Sequence, residues 1–161
     1  NQADVIIQLS NGGAQFYAGQ GLKDGAKAKV LGAVSAALHT HLLAEHYGVC
    51  VVLHTDHANK SLIPWVDALL DHGEAYFKEH GKPLFSSHML DLSEEPIDWN
   101  LDQCARVLSR MAKMGMNLEI ELGVTGVPET YVVGADGVIQ KKYAAPLTDK
   151  DVSDLLRQLR R

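Results

Sequence analysis

The stretch AEHYGVCVVLHTDH, residues 44–57, holds the unit that decides the fold. A helical segment runs up to Gly48, and the apolar run after it predicts a short strand. A glycine just past a helix end supplies the left-handed backbone conformation without a clash from Cβ. The stretch therefore predicts a helix that ends at Gly48, a tight turn and a strand.

The same unit occurs twice more along the chain. KEHGKPLFSSHML (78–90) carries its glycine at Gly81, and AKMGMNLEIELG (112–123) carries it at Gly115. The glycines stand about 34 residues apart, which fits one helix, one strand and two loops. An earlier strand, VIIQLS (5–10), precedes the first helix.

Alternating strands and helices indicate parallel strands with helical crossovers. We predict an α/β fold with about four parallel strands, which is either half of a TIM-type β/α barrel or a small open sheet. A complete eight-stranded barrel needs roughly 200 residues or more, and this chain has 161. Val30, Val34, Leu38 and Leu42 form one apolar stripe on the first helix, the usual signal of a core-facing side. Ser61 is the predicted cap of the second helix.

Composition and charge exclude several classes of protein. Hydrophobic residues make up 46% and charged residues 22% of the chain, which is ordinary for a globular protein and excludes disorder. The formal net charge of −5 argues against nucleic acid as the main partner, and no run of about 18 apolar residues is present to span a membrane. Cys50 and Cys104 form no CxxC motif, which excludes a dithiol redox centre and favours a reducing, cytoplasmic setting. The chain begins at Asn1 rather than Met, so we expect a cut end there.

The sequence changes in character after the third helix–strand unit. ETYVV and VIQKKY predict a β-hairpin with its turn at Asp136-Gly137, and a last helix begins with Thr148 as its cap. We place a domain boundary near Thr125. Residues 1–125 then form the β/α part, and residues 126–161 form a ββα segment.

Polar side chains collect where the predicted strands end. Side chains alternate along a strand, so each strand has one apolar face and one face that becomes polar toward its carboxyl end. The loops after the strands form the functional edge of parallel α/β folds, and we expect these residues to converge there: Ser10, Asn11, Asp56, His57, Asp91 and Glu121. One imidazole among three carboxylates is typical of a divalent-metal or acid–base site. The alternative is a set of solvated loop residues.

Two further features lie on the same strands and loops. Glu119 and Glu121 share a strand face, and we expect both to be buried, where an unpaired carboxylate is costly. SNGGA (10–14) follows a strand and is a candidate to offer backbone N–H groups to a phosphate. It matches neither the Walker loop nor the dinucleotide fingerprint.

Several long motifs lie in the first three quarters of the chain: SNGGAQFYAGQG (10–21), AEHYG (44–48), VLHTDHANK (52–60), LIPWVDALL (62–70), GKPLFSSHMLDLSEE (81–95) and MNLEIELG (116–123). Together they resemble the class II, metal-dependent fructose-bisphosphate aldolases, from about Ala3 to Thr125. The resemblance implies a (β/α)8 barrel, usually dimeric. It also implies reversible cleavage of fructose 1,6-bisphosphate into dihydroxyacetone phosphate and glyceraldehyde 3-phosphate, with zinc as the Lewis acid.

The resemblance assigns a role to each matching residue. Asp56 matches the family acid/base that handles the aldehyde oxygen, and His57 matches one of three zinc-ligand histidines. Asp91 and Glu121 match acidic residues at an alternative site of the metal. Ser10 matches a serine near the substrate phosphate.

Parts of the family pattern are missing from this sequence. The other two zinc histidines and the later glycine-rich phosphate loops lie on strands that the sequence does not contain. His54 and His88 are candidates to replace the histidines. The partners implied are a small sugar phosphate and, as the candidate assembly, a second copy of the chain; neither nucleic acid nor a membrane is expected.

The tail has a resemblance of its own. GVPETYVVGADGVIQKKYAAPLT (126–148) resembles the C-terminal part of thioredoxin-like thiol:disulfide interchange proteins. This implies a cis-proline step at Val127-Pro128 and makes Glu129 the ordinary residue after that proline rather than an aldolase loop glutamate. Redox activity is not expected, because the dithiol is absent. Two functions follow for the whole chain: a zinc-dependent aldolase-like lyase impaired by truncation, or a non-catalytic chimeric or truncated scaffold.

Overall fold

The computed structural model describes residues 3–123, 130–133, 139–143, 148 and 150. It divides the chain into two compact units, Asn1–Gly123 and Val124–Arg161. Each unit has its own sheet.

The first unit is an α/β structure built on four parallel strands, as predicted. The strands lie in chain order across the sheet. They are β1 (Val5–Leu9), β2 (Val51–Thr55), β3 (Ser87–Asp91) and β4 (Asn117–Glu121). Sequential parallel neighbours joined by helices are the arrangement of a partial β/α barrel.

Four helices connect or follow these strands: α1 (Asn11–Tyr17), α2 (Gly25–Tyr47), α3 (Ile63–His80) and α4 (Ile97–Met111). A 3-10 turn, Ala112–Met114, extends α4. Gly48, Gly81 and Gly115 end the three longer helical segments with φ of 61°, 67° and 71°. The helix ends predicted from the repeated glycine are therefore confirmed.

The strand register divides the sheet into two different faces. On the helix-covered face, Ile7 pairs with Leu53 and Leu90 with Ile120, and these residues join the core formed with α2, α3 and α4. On the opposite face, neighbouring strands carry polar side chains, such as Gln8 beside His54. Alternation along each strand thus separates the apolar core from the candidate site.

Only part of the predicted apolar stripe on α2 packs against the core. The buried residues of α2 are Ala28, Gly32, Ala33, Ala36 and Ala37. Leu38 and Leu42 from the predicted stripe are 44% and 62% exposed, whereas Val30 and Val34 are half-buried. The physical reason is close approach: α1 lies directly against α2, so only small side chains fit between them.

The start of α1 was not predicted, and the start of α3 was predicted wrongly. Asn11 begins α1, and the Ser10 hydroxyl caps it by accepting from Gly13 N–H at 3.0 Å. Ser61 does not cap the second helix, because Asn59 accepts from Ser61 N–H at 3.1 Å and caps a short 3-10 turn ahead of α3.

Charged side chains join α3 to α4 on their outer sides. Arg110 contacts the carboxylates of Asp71 at 2.6 Å and Glu74 at 2.7 Å, and Arg106 makes a two-pronged contact with Asp67. The hydrogen bond from Arg110 holds the pKa of Glu74 below its usual value. Such a shared network fixes the two helices better than isolated surface pairs would.

The second unit contains the predicted hairpin. β5 (Thr130–Val133) pairs antiparallel with β6 (Ile139–Tyr143), with an irregularity between Val132 and Val133. The Asp136-Gly137 turn, the Val127-Pro128 step and the last helix fall outside the described residues. In the part of the chain that is described, no helix is long and apolar enough to cross a bilayer.

Gly32→Ala tests the close packing of α1 on α2. An added Cβ would overlap the backbone carbonyl oxygen of Ala14, which cannot move as a side chain can. We expect the free energy of unfolding to fall by about 1–3 kcal/mol in urea denaturation, despite the better helix propensity of alanine.

Gly73→Ala in α3 is the matched control, because its added Cβ would make only an ordinary contact with Met114. This variant should be as stable as the parent or up to about 1 kcal/mol more stable. Equal unfolding midpoints for the two variants would contradict the close approach of α1 to α2.

Candidate metal and acid–base site

His57, Asp91 and Glu121 meet at the carboxyl edge of the parallel sheet. His57 Nδ1 lies 3.1 Å from Asp91 Oδ2 and 3.6 Å from Glu121 Oε1. One ligand atom from each residue lies within 4.8 Å of the others. The structure therefore brings together three of the residues singled out from the sequence.

The strand register explains this meeting. β3 and β4 pair in register up to Asp91 opposite Glu121, so each strand ends with a carboxylate at the same level. β2 ends at Thr55 on the same edge, and the chain leaving it carries Asp56 and His57 toward them. All strands of a parallel sheet have their carboxyl ends at the same edge, and this is the edge at which α/β folds bind their ligands.

The charges of the three groups influence one another. The hydrogen bond to Asp91 raises the pKa of His57 above its ordinary value, with help from the charges of Glu121 and Asp56 and against some desolvation. Burial works against ionised Asp91, but hydrogen bonds from Ser93 and His57 outweigh it and hold the pKa of Asp91 low. Burial and the neighbouring charge of Asp91 raise the pKa of Glu121.

Asp56 lies beside this group and is held by a residue that the sequence analysis did not select. Its Oδ1 accepts a hydrogen bond from Gln8 Nε2 at 2.6 Å and lies 4.0 Å from His57 Nε2. Gln8 is in β1, in register with His54. The sequence feature that could have identified Gln8 is its position on the polar face of β1.

His54 and Glu119 form a second pair on the polar face, closer to the amino ends of the strands. His54 Nε2 lies 3.1 Å from Glu119 Oε2, and His54 Nδ1 lies 2.6 Å from Ser87 Oγ. The hydrogen bond with His54 lowers the pKa of Glu119. Glu119 and Glu121 were expected to be buried, but their side chains are 60% and 43% exposed because this face lies open.

The remaining candidates are not part of the group formed by His57, Asp91 and Glu121. His88 is fully buried on the helix-covered face, with Nδ1 3.0 Å from Thr55 Oγ1, and burial lowers its pKa to about 3. Neither His54 nor His88 belongs to the ligand group that the described residues form. Ser10 follows β1 at the same edge, where Asp56 N–H bonds to Leu9 O, but its hydroxyl caps α1.

The three grouped residues offer one imidazole and two carboxylates, a donor set that suits a divalent ion. Zinc accepts imidazole nitrogen and carboxylate oxygen at about 2.0–2.2 Å, which places neighbouring ligand atoms about 3.3–3.6 Å apart in a tetrahedral set. The distances from His57 Nδ1 to the two carboxylates, 3.1 and 3.6 Å, lie close to that range. Three protein ligands also leave a position open for another molecule, as in catalytic sites.

Fold and site together define a β/α protein with a candidate metal and acid–base centre at the carboxyl ends of its parallel strands. A family model described as "Fructose-bisphosphate aldolase class-II" matches residues 1–159. The chain belongs to the class II fructose-bisphosphate aldolase family.

Individual relatives agree with this membership. The chain is 58% identical over 147 residues to the class 2 fructose-bisphosphate aldolase of Escherichia coli K12 and 55% identical over 147 residues to the fructose-bisphosphate aldolase of Haemophilus influenzae. It resembles the crystal structure of fructose-bisphosphate aldolase from Campylobacter jejuni with a TM-score of 0.70 and 55% identity, over 74% of this chain and 34% of that one.

The matches also show how much of each relative the chain covers. Each of those two sequence matches covers 90% of this chain and 41% of the relative, so the chain spans about two fifths of their length. The family model continues through the segment from 126 onward that we predicted to be thioredoxin-like. None of these matches supports the thioredoxin resemblance.

The pKa of His57 tests the pairing at the edge. In the chain freed of metal by a chelator, the imidazole should titrate above 6.5, and Asp91→Asn should lower its pKa because the largest cause is removed. The raised pKa means that the pair stabilises the fold below pH 6.5 and loses this effect as pH rises through the folded-state pKa. NMR titration of the ring resonances measures the pKa.

Asp102→Asn, which removes an exposed carboxylate of α4, is the control and should leave the pKa of His57 unchanged. A His57 pKa that stays the same in Asp91→Asn would show that the two side chains do not pair in solution.

Proposed function

We propose that this chain supplies the metal-binding and acid–base residues of a class II fructose-bisphosphate aldolase site. The carrying observation is the group of His57, Asp91 and Glu121, whose ligand atoms lie within 4.8 Å of one another beside Asp56. The reaction is the reversible aldol cleavage of fructose 1,6-bisphosphate into dihydroxyacetone phosphate and glyceraldehyde 3-phosphate. Membership of the aldolase family supports this choice of reaction.

His57, Asp91 and Glu121 are the residues that would hold the ion, which we propose to be zinc. When bound, the ion supplies a Lewis acid for the substrate carbonyl. Asp91 is kept ionised by Ser93 and His57, so it is ready to act as a ligand. Burial and the charge of Asp91 raise the pKa of Glu121, and a bound cation would lower that pKa again and release any proton that the carboxyl carries.

Asp56 is the proposed acid/base. Its carboxylate accepts the proton of the substrate hydroxyl whose oxygen becomes the aldehyde oxygen. The adjacent carbon–carbon bond breaks at the same time, and its electron pair passes to the ketone half that becomes dihydroxyacetone phosphate; in the condensation direction Asp56 returns the proton. Gln8 donates to Oδ1 of Asp56, which orients the carboxyl group and leaves Oδ2 for the substrate. We propose Ser10 as a substrate-phosphate contact, because its hydroxyl hydrogen remains available while its oxygen caps α1.

The setting proposed for this activity is the cytoplasm. Cys50 is exposed and Cys104 is buried, and both are free thiols, as a reducing compartment allows. The thioredoxin-like identity of residues 126–161 and a homodimeric assembly stay predictions.

Metal binding provides the first test. After mild dialysis, elemental analysis should find about one Zn²⁺ per chain, because the described ligand group has three donors. Asp91→Asn and Glu121→Gln should each lower the affinity by at least about tenfold, whereas Asp102→Asn should bind as the parent does. A parent chain without Zn²⁺, or carboxylate variants that bind it equally well, would refute the site.

Turnover provides the second test. A coupled assay for triose phosphate release, with added Zn²⁺, should show cleavage above background that Asp56→Ala lowers by about 10²–10⁴-fold, the size of a lost acid/base. Zinc affinity should be retained in Asp56→Ala, which separates proton transfer from metal binding. Turnover that survives in Asp56→Ala would exclude this residue as the acid/base.

The alternative is a non-catalytic chimeric or truncated scaffold. Its support is that the chain spans 41% of the relatives and holds one of the three zinc histidines that the family resemblance implies. Zinc binding without any turnover would favour this alternative. Turnover that depends on Asp56 would favour the aldolase.

A further inference from the structure

The amide of Asn100 joins the two strand ends that carry the candidate carboxylates. Asn100 lies in α4 and is fully buried. Its Nδ2 donates to Leu92 O at 2.9 Å and to Glu121 O at 2.8 Å. One side chain therefore uses both of its amide hydrogens on backbone carbonyls that follow or end two neighbouring strands.

A hydrogen bond to its oxygen fixes the orientation of the Asn100 amide. Its Oδ1 accepts from the thiol of Cys104, with Sγ at 3.2 Å, one helical turn further along α4. This contact places the oxygen toward α4 and the nitrogen toward the sheet. A buried amide with its donors and acceptor all engaged is a rigid link, because any rotation would leave polar groups without partners.

The link lies where the strand ladder stops. Pairing of β3 with β4 ends at Asp91 opposite Glu121, and the bonds of Asn100 reach the residue after Asp91 and Glu121 itself. A second contact lies at the same level: a Cβ on Gly123 would overlap the carbonyl oxygen of Ser93. The segments leaving β3 and β4 are thus held against each other by a hydrogen-bonded link and by direct backbone contact.

The carboxylates above this link need such a constraint. Asp91 and Glu121 carry like charges, and both lie within reach of one imidazole. Like charges this close repel, so the separation of the two carboxylates depends on how firmly the backbone that carries them is held. Groups behind metal ligands commonly set ligand orientation in this way, and their loss typically costs about 10–100-fold in affinity.

We propose that Asn100 is a positioning residue that fixes the separation of the Asp91 and Glu121 carboxylates through the backbone that carries them. Both Nδ2 hydrogen bonds of Asn100 go to backbone carbonyls rather than to a carboxylate, so its effect is exerted through the chain of β3 and β4. The expected effect on zinc rests on the proposed function; the effect on the strand ends does not.

Asn100→Ala removes both donors, and Asn100→Ser is prepared beside it in case the first variant does not fold. Two controls come from the same helix. Cys104→Ser keeps a donor for Asn100 Oδ1 and so leaves the amide and both Nδ2 bonds in place, and Val107→Ala removes fully buried side-chain volume away from the edge. All are measured as the complete chain, at the same degree of folding by circular dichroism.

Amide hydrogen exchange without metal gives the first readout. In the Asn100 variants, the segments 91–95 and 119–123 should exchange at least about tenfold faster than in the parent, while β1 and β2 should not change. Both controls should retain slow exchange in 91–95 and 119–123. Unchanged exchange in the Asn100 variants would overturn the proposal.

Zn²⁺ affinity and the visible spectrum of bound Co²⁺ give the second readout. The Asn100 variants should bind Zn²⁺ about 10–100-fold more weakly and alter the Co²⁺ bands, which report ligand geometry. Equal losses in Val107→Ala would show a general loss of stability and overturn the proposal. If the parent binds no Zn²⁺, the proposed function fails, and hydrogen exchange alone then decides the role of Asn100.

Discussion

The parallel, in-register pairing of β3 with β4 is the constraint on which the candidate site depends. It places Asp91 opposite Glu121 at the end of both strands, so two like charges share one edge. An antiparallel pair would have sent them to opposite ends of the sheet. β2 ends at the same edge and adds His57, whose imidazole lies 3.1 Å from Asp91 and offsets part of the repulsion.

The same pairing spreads charge along the open face of the sheet. Glu119 lies two residues before Glu121 on the same face, and its partner is His54 rather than His57. The polar face therefore has two levels. Glu119 lies beside His54, and Asp91 and Glu121 lie beside His57 at the carboxyl edge. Strand alternation keeps this polar face apart from the core, where His88 stays neutral with Thr55 as its partner.

Family membership and chain length limit what this arrangement does alone. The chain belongs to the class II fructose-bisphosphate aldolases and spans 41% of the relatives compared above. Within the described residues, the open face has helices on its other side only, so its charged groups are half-exposed. Under the proposed function, ion binding would depend on how firmly the strand ends are held, and Asn100 is a buried group that joins them.

The sequence by itself determined the order of the strands and of the longer helices, the parallel sheet and the edge at which polar residues gather, because glycine helix ends and strand alternation are local signals. It predicted only part of the packing side of α2. Val30 and Val34 of the predicted stripe pack against the core, but the fully buried residues of α2 are alanines and Gly32, and Gly32 lies too close to the Ala14 carbonyl of α1 for a larger residue. Tertiary structure alone decided that Gln8 holds Asp56, that His54 pairs with Glu119, and that Asn100 joins two strand ends. These contacts join residues far apart in the chain, and their distances depend on register and helix packing, which no local pattern contains.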